Sequence, residues 1–64
     1  MQTLQMKELR LERGWTQKEV AEKIGVTKST VNLLESGLRK PSYEVLVKLE
    51  ALFGVTHNVL FRRH

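Results

Sequence analysis

The sequence predicts an all-α chain of five short helices, and three observations carry that expectation. Four glycines and one proline, with Gly37 and Pro41 bounding one short loop, divide the 64 residues into five segments each the length of a short helix. Hydroxyl residues precede most segments where N-caps belong, and glycines follow where a left-handed residue ends a helix without a side-chain clash. No alternation of period two lasts long enough to support a strand.

Taken in order, Thr3 is placed to cap a first helix running to about Arg13, with Met6 and Leu9 inside and Gly14 ending it. Thr16-Gln17-Lys18-Glu19 has the spacing of a capping box, and Trp15 and Val20 stand where a hydrophobic staple would close over it. This second helix turns Val20, Ala21 and Ile24 inward and stops at Gly25. Thr27 caps a third helix, Val26 staples onto Val31, and Val31 and Leu34 face the interior. Ser36-Gly37 ends that helix. Leu38 to Pro41 then form a basic loop, because Pro41 cannot join a helix interior. Ser42 caps a fourth helix, about 42–53, whose inner positions are Leu46, Leu49 and Phe53. Val45, Val47 and Leu52 add a second apolar strip. Gly54 stops this helix, and Thr56 caps a short fifth one, about 56–61, containing Val59, Leu60 and Phe61.

Composition excludes most other classes. A chain of 64 residues is one small domain, 1–64, that buries only about 60% of its unfolded surface. There is no cysteine, hence no disulfide scaffold and no thiolate zinc site. The longest apolar runs, Val45-Leu46-Val47 and Ala51-Leu52-Phe53, are far short of a membrane span, so the expected location is the cytoplasm. A cleft of several hundred cubic ångströms would hollow out so small a core. The seven glutamates sit at capping or i, i+4 positions such as Glu19 with Lys23. His57 and His64 read as exposed histidines, with no cysteine or aspartate nearby to complete a metal site. No catalytic residue, cofactor or metal is expected. The net charge of +4 favours an anionic partner, and its excess lies in the Arg39-Lys40 loop and the Arg62-Arg63 tail.

The second and third helices are joined only through Gly25-Val26-Thr27. Two helices so joined need a small residue at their contact, a glycine in the turn and apolar residues inside. Ala21, Gly25, Val20, Ile24, Val26, Val31 and Leu34 fill those places, which is the pattern of a helix-turn-helix. The stretch TQKEVAEKIGVTKSTVNLLESG (Thr16 to Gly37) resembles the helix-turn-helix of Cro and phage-repressor proteins, the Xre family. The likeness extends upstream through LRLERGWTQ and downstream through RKPSYEVLVKLEALFGV, roughly 50 of the 64 residues. It implies a compact five-helix, lambda-repressor-like domain that binds operator DNA as a two-fold dimer, usually to repress transcription.

The third helix can also be read for its exposed face. With Val31 and Leu34 inward, Ser29, Asn32, Leu33 and Ser36 point outward and Lys28 lies at the flank. Lys28 suits guanine O6/N7, Asn32 suits adenine N6/N7, and Ser29 serves either. The same side chains would equally make a plain solvated face. The surrounding motif favours base reading.

From the resemblance, Gln17 binds a phosphate and braces the recognition helix, and Arg10 with Glu35 forms a structural ion pair. Thr27 caps its helix and can also meet a phosphate. Arg39 and Lys40 are placed to neutralise phosphates beyond the recognition helix, while Arg62 and Arg63 are equally explained as a tail. Trp15 is assigned to the core. Tyr43 either packs beside the fourth helix or reaches a phosphate. Three departures from the family pattern stand out. Leu33 meets a thymine methyl group or a protein partner, Leu38 is apolar in a loop that is usually polar, and Glu50 lies at a rim. Val45, Val47, Leu52, Val55, Val59 and Phe61 are the candidates for a dimer interface.

The expected function is sequence-specific binding of double-stranded DNA by a transcriptional repressor. It acts as a homodimer on a palindromic operator, with the third helix in the major groove. The rival expectation is a protein-interaction module, such as the antitoxin of a toxin–antitoxin pair, for which Leu33 and Leu38 speak.

Overall fold

Hydroxyl caps set most of the helix starts. The computed structural model describes residues 4–63, which form α1 (Gln5–Glu12), α2 (Gln17–Ile24), α3 (Lys28–Ser36), α4 (Tyr43–Phe53) and α5 (His57–Leu60). At α2 the Thr16 hydroxyl accepts from the Glu19 N–H at 3.0 Å, and the Glu19 carboxylate accepts from the Thr16 N–H at 2.9 Å. Both halves of the expected capping box are therefore made. Thr27 and Ser42 accept from the Thr30 and Val45 amides at the starts of α3 and α4.

Two helices start differently from expectation. Thr3 lies outside the described residues, and the position before α1 is held by Leu4, which has no side-chain acceptor. Backbone bonds from distant segments secure this start instead. The Leu4 N–H donates to the Glu35 carbonyl at 2.9 Å and the Gln5 N–H to the Arg62 carbonyl at 2.7 Å. Thr56 precedes α5 but its hydroxyl makes no cap bond. The Glu50 carboxylate takes that role, accepting from the His57 N–H at 2.7 Å and lying 3.3 Å from His57 Nδ1. A longer acceptor arriving from α4 satisfies the first amide of α5, one position before those a threonine cap would take. Glu50 is thus a half-buried capping residue, at the rim where it was expected.

The core draws on every helix: Met6 from α1, Val20, Ala21 and Ile24 from α2, Val31 and Leu34 from α3, Leu49 and Phe53 from α4, and Leu60 from α5. Fully burying such side chains is worth about 1.5–3 kcal/mol each for the larger aliphatic and aromatic ones. Leu46, expected inside with Leu49 and Phe53, is only half-buried. The inward direction of α4 centres on Leu49, and Leu46 falls to one side of it, beside Phe61. Val45, Leu52, Val55 and Phe61 pack against this core, whereas Val47 is 44% exposed.

One polar arrangement is enclosed with the apolar ones. Arg10 and Glu35 are 7% and 2% exposed, and Arg10 Nε donates to Glu35 Oε2 at 2.6 Å. Arg10 Nη2 donates to Glu35 Oε1 at 3.3 Å, and Arg10 Nη1 donates to the Trp15 carbonyl at 2.8 Å. Gln17 Nε2 donates to Glu35 Oε1 at 3.0 Å. Among the described residues no fully buried side-chain nitrogen or oxygen lacks a partner. Beside this cluster Arg13 donates to the Phe53 carbonyl at 2.9 Å and lies over the Trp15 and Phe53 rings. Lys23 covers Trp15 as well, 4.8 Å from its centroid. Trp15 therefore belongs to the structure's interior edge, clamped between α1, α2 and α4.

Glu35→Ala is expected to lower stability by about 3–5 kcal/mol, because it leaves Arg10 charged, buried and unpaired. A domain of this size has about 3–10 kcal/mol in total, so most of its stability would go. The double variant Arg10→Met/Glu35→Leu should recover most of that loss. Urea unfolding followed by circular dichroism measures both, and a single-variant loss below about 1 kcal/mol would rule out a structural role for the pair.

Candidate nucleic-acid interface

Gly25 makes the turn that sets α3 against α2. Its φ of +75° lies in the left-handed region, where an L side chain is strained, and the following Val26 N–H returns to the Ala21 carbonyl at 2.9 Å. Ala21, Ile24, Val31 and Leu34 close the contact between the two helices from within. The other side of α3 is thereby left to solvent.

On that side, Lys28, Ser29 and Asn32 are exposed, and Gln17 is half-buried next to them. These four residues line one shallow depression of about 340 Å³, so side chains from two helices share a single surface. Gln17 Nε2 donates to Asn32 Oδ1 at 3.3 Å as well as to Glu35. A primary amide nitrogen carries two hydrogens, and both are spent here. Asn32 keeps its own NH2 group and a second lone pair on Oδ1 for an external partner. Leu33 is half-buried, and the Ser36 hydroxyl turns back to the Leu33 carbonyl at 3.1 Å.

The end of α3 carries the cationic loop. Gly37, at φ +78°, reverses the chain, and the Leu38 and Arg39 N–H groups both reach the Leu33 carbonyl, at 3.1 and 3.3 Å. This anchors Arg39 and Lys40, whose side chains are exposed. Together with Thr27, Thr30 and Ser42 they border a second depression of about 460 Å³ between the start of α3 and the loop. The Thr27 hydroxyl is engaged twice, with the Thr30 N–H and, at 2.9 Å, with the Thr30 hydroxyl. Tyr43 is 81% exposed, so it does not pack beside α4. It stands in the first turn of α4, well away from the inward direction of Leu49, and its ring is left to solvent.

Two groups of sequence-derived candidates are brought together and one is not. Lys28, Ser29, Asn32 and Gln17 form one surface, which the half-buried Leu33 does not line, and Thr27, Arg39 and Lys40 form a second. The proposed dimer residues do not share a face of α4. Val45 and Leu52 lie seven apart along one edge of the helix, and Val47 points about 200° away from Val45. The bracing of α3 by Gln17 agrees with what the resemblance implied, but its partner Asn32 was not foreseen, and Arg13 was assigned no role. Neither pairing follows a helical repeat, and only the fold brings the partners into reach.

A recognition helix packed by its apolar side on the preceding helix, with a polar outer face and a cationic loop at its end, defines a DNA-binding helix-turn-helix domain. The chain belongs to the helix-turn-helix family of Cro/C1 type, whose family model matches residues 6–60. That family consists of DNA-binding transcription regulators rather than enzymes.

The chain is 41% identical over 56 residues to the HTH-type transcriptional regulator AnsR of Bacillus subtilis, covering 88% of this chain and 48% of AnsR. It is 42% identical over 50 residues to the cryptic phage CTXphi transcriptional repressor RstR of Vibrio cholerae, covering 78% of this chain and 45% of RstR. It thus spans about half the length of these relatives. Among solved structures, the N-terminal DNA-binding domain of SinR from Bacillus subtilis superimposes with a TM-score of 0.73 at 38% identity. That match covers 92% of this chain and 88% of the SinR domain.

Because the Thr27 hydroxyl is committed to the α3 cap, Thr27→Ala is expected to cost about 1 kcal/mol, while Thr27→Ser keeps the acceptor and recovers most of it. Thermal melts of the three proteins read the difference. Equal melting of all three would show that the cap contributes nothing.

Proposed function

We propose that this chain is a sequence-specific, double-stranded-DNA-binding transcriptional repressor that reads a palindromic operator as a homodimer, with α3 in the major groove. The observation that carries this reading is the shared surface of Gln17, Lys28, Ser29 and Asn32, flanked by the exposed Arg39 and Lys40. Lys28 donates to guanine O6/N7, and Asn32 pairs with adenine N6/N7 through the lone pair and NH2 group that Gln17 leaves open. Ser29 contacts either base type, and Leu33 faces a thymine methyl group. RstR, similar over 78% of this chain, is named a transcriptional repressor.

Phosphate contacts come from Arg39, Lys40 and the exposed Tyr43 hydroxyl. At Gln17 and Thr27 the side chains are already engaged, which leaves the unpaired amides at the starts of α2 and α3 for phosphate oxygens. The described chain measures 25 × 22 × 20 Å, so two copies side by side fit recognition helices one DNA turn, ~34 Å, apart. Val45, Leu52, Val55 and Phe61 serve largely the protomer's own core, and Val47, with Val59, is the better part of the proposed dimer surface. The domain 1–64 acts in the cytoplasm as the DNA-reading unit. No helix among the described residues is long and apolar enough to cross a membrane.

Selection of bound sites from a random DNA pool is expected to return a two-fold-symmetric sequence. On that site, Lys28→Ala and Asn32→Ala should each cost about 1–3 kcal/mol and relax the preference at separate base positions. Four to six phosphate contacts give a log–log salt slope near −4 to −5, and Arg39→Ala/Lys40→Ala should flatten it by about 2. An affinity that ignores salt, or recovered DNA without a common motif, defeats the proposal.

A further inference from the structure

A third surface lies on the other side of the Arg39-Lys40 loop. Leu4, Pro41, Leu46 and Phe61 floor a groove of about 390 Å³ between that loop and the α4–α5 corner. Arg39, Lys40, Arg63 and His57 stand around it. Among the described residues Arg39, Lys40 and Arg63 have no carboxylate partner, and the one acid paired with His57 is Glu50. The apolar surface continues past the groove. Leu38, 73% exposed, adjoins the loop, and Tyr43 and Val47 lie three residues before and one after Leu46 on α4. An apolar floor flanked by three cations without carboxylate partners has the composition of a protein-contact surface.

The chemistry of the groove selects its occupant. A second copy docked groove to groove would bring Arg39, Lys40 and Arg63 against their own equivalents, since a two-fold contact pairs a patch with itself. An extended strand finds no backbone ladder to join, because the Leu4 and Gln5 N–H groups are already spent on the Glu35 and Arg62 carbonyls. A helix needs no such ladder and is held by apolar anchors laid into a groove.

We propose that this groove docks an acidic amphipathic helix of a partner protein, and that the docked helix removes Arg39 and Lys40 from DNA. The apolar stripe of the helix covers Leu4, Leu46 and Phe61, and its flanking carboxylates meet Arg39, Lys40 and Arg63. The exclusion of DNA rests on the reading of Arg39 and Lys40 as phosphate contacts, whereas the docking does not.

The probe is a synthetic helical peptide with leucines at i, i+3, i+7 and glutamates flanking them. Its controls are a scrambled peptide of equal composition and a version with lysine for glutamate. Titration into the 15N-labelled protein is expected to move the amides of residues 37–40, Leu46 and Phe61 with the acidic peptide alone, and to release a labelled operator. Arg63→Glu, an exposed change outside the proposed DNA contacts, should weaken the peptide about tenfold and leave operator affinity within a factor of about 3. Leu46→Glu should abolish docking, and its circular dichroism spectrum shows whether it folds. Equal binding of the scrambled peptide, shifts spread away from the groove, or no shift at millimolar peptide overturns the proposal. So do concentration-dependent shifts of the free protein confined to the groove residues, which would show the groove filled by a second copy. Groove shifts without any operator binding by the free protein would support the docking and count against the DNA reading alone.

Discussion

The ion pair between Arg10 and Glu35 ties α3 to the rest of the chain. Burying two charges is costly, and the cost is offset here only because every polar atom of the pair has a partner. Arg10 spans from α1 to Glu35 on α3 and to the Trp15 carbonyl ahead of α2, so one guanidinium sets the relative positions of three helices. Gln17 completes the arrangement. Its amide takes the remaining approach to Glu35 and then extends outward to Asn32, carrying the order of the interior to the exposed face of α3. A small core gains rigidity from such a connection because few apolar contacts are available to supply it.

Around this pair, cheap local devices do the rest. The capping box at Thr16 and the hydroxyl caps at Thr27 and Ser42 satisfy amides that short helices cannot satisfy internally. The second cluster, with Arg13 and Lys23 on either side of Trp15, holds the end of α1 against α2 and α4. Its aromatic faces attract cations that would otherwise be spent on solvent. Charge in this chain is thus partly structural. Arg39 and Lys40, exposed where α3 ends, have no carboxylate partner among the described residues.

The Arg39-Lys40 loop borders two surfaces, the depression beside the start of α3 and the apolar groove toward α5. Its position follows from the bonds that return Leu38 and Arg39 to the Leu33 carbonyl, so both surfaces inherit their geometry from the end of the recognition helix. Ligands on the two sides that both require these cations must compete, which is linkage through shared side chains and needs no conformational change.

Much of this was legible in the sequence, because much of it is local. The capping box, the glycine turn at Gly25, the inward positions Val20, Ile24, Val31 and Leu34, and the outward Lys28, Ser29 and Asn32 all follow from spacings within one or two helical turns. What was not legible depends on residues far apart in the chain. The cap on α5 comes from Glu50 rather than Thr56, the start of α1 is tied by the Glu35 and Arg62 carbonyls, and Tyr43 is left in solvent. The apolar strip of α4 shows the limit most plainly, since Val45 and Leu52 settle against the core while Val47 does not. By itself the sequence determined five helices, the caps of α2, α3 and α4 and the polar face of α3, because a helix's period and such end groups are properties of neighbouring residues. Only the tertiary structure decided that Gln17 would brace Asn32 and that Leu46 and Phe61 would open a groove beneath the cationic loop. Those outcomes depend on how helices cross, and no single segment encodes it.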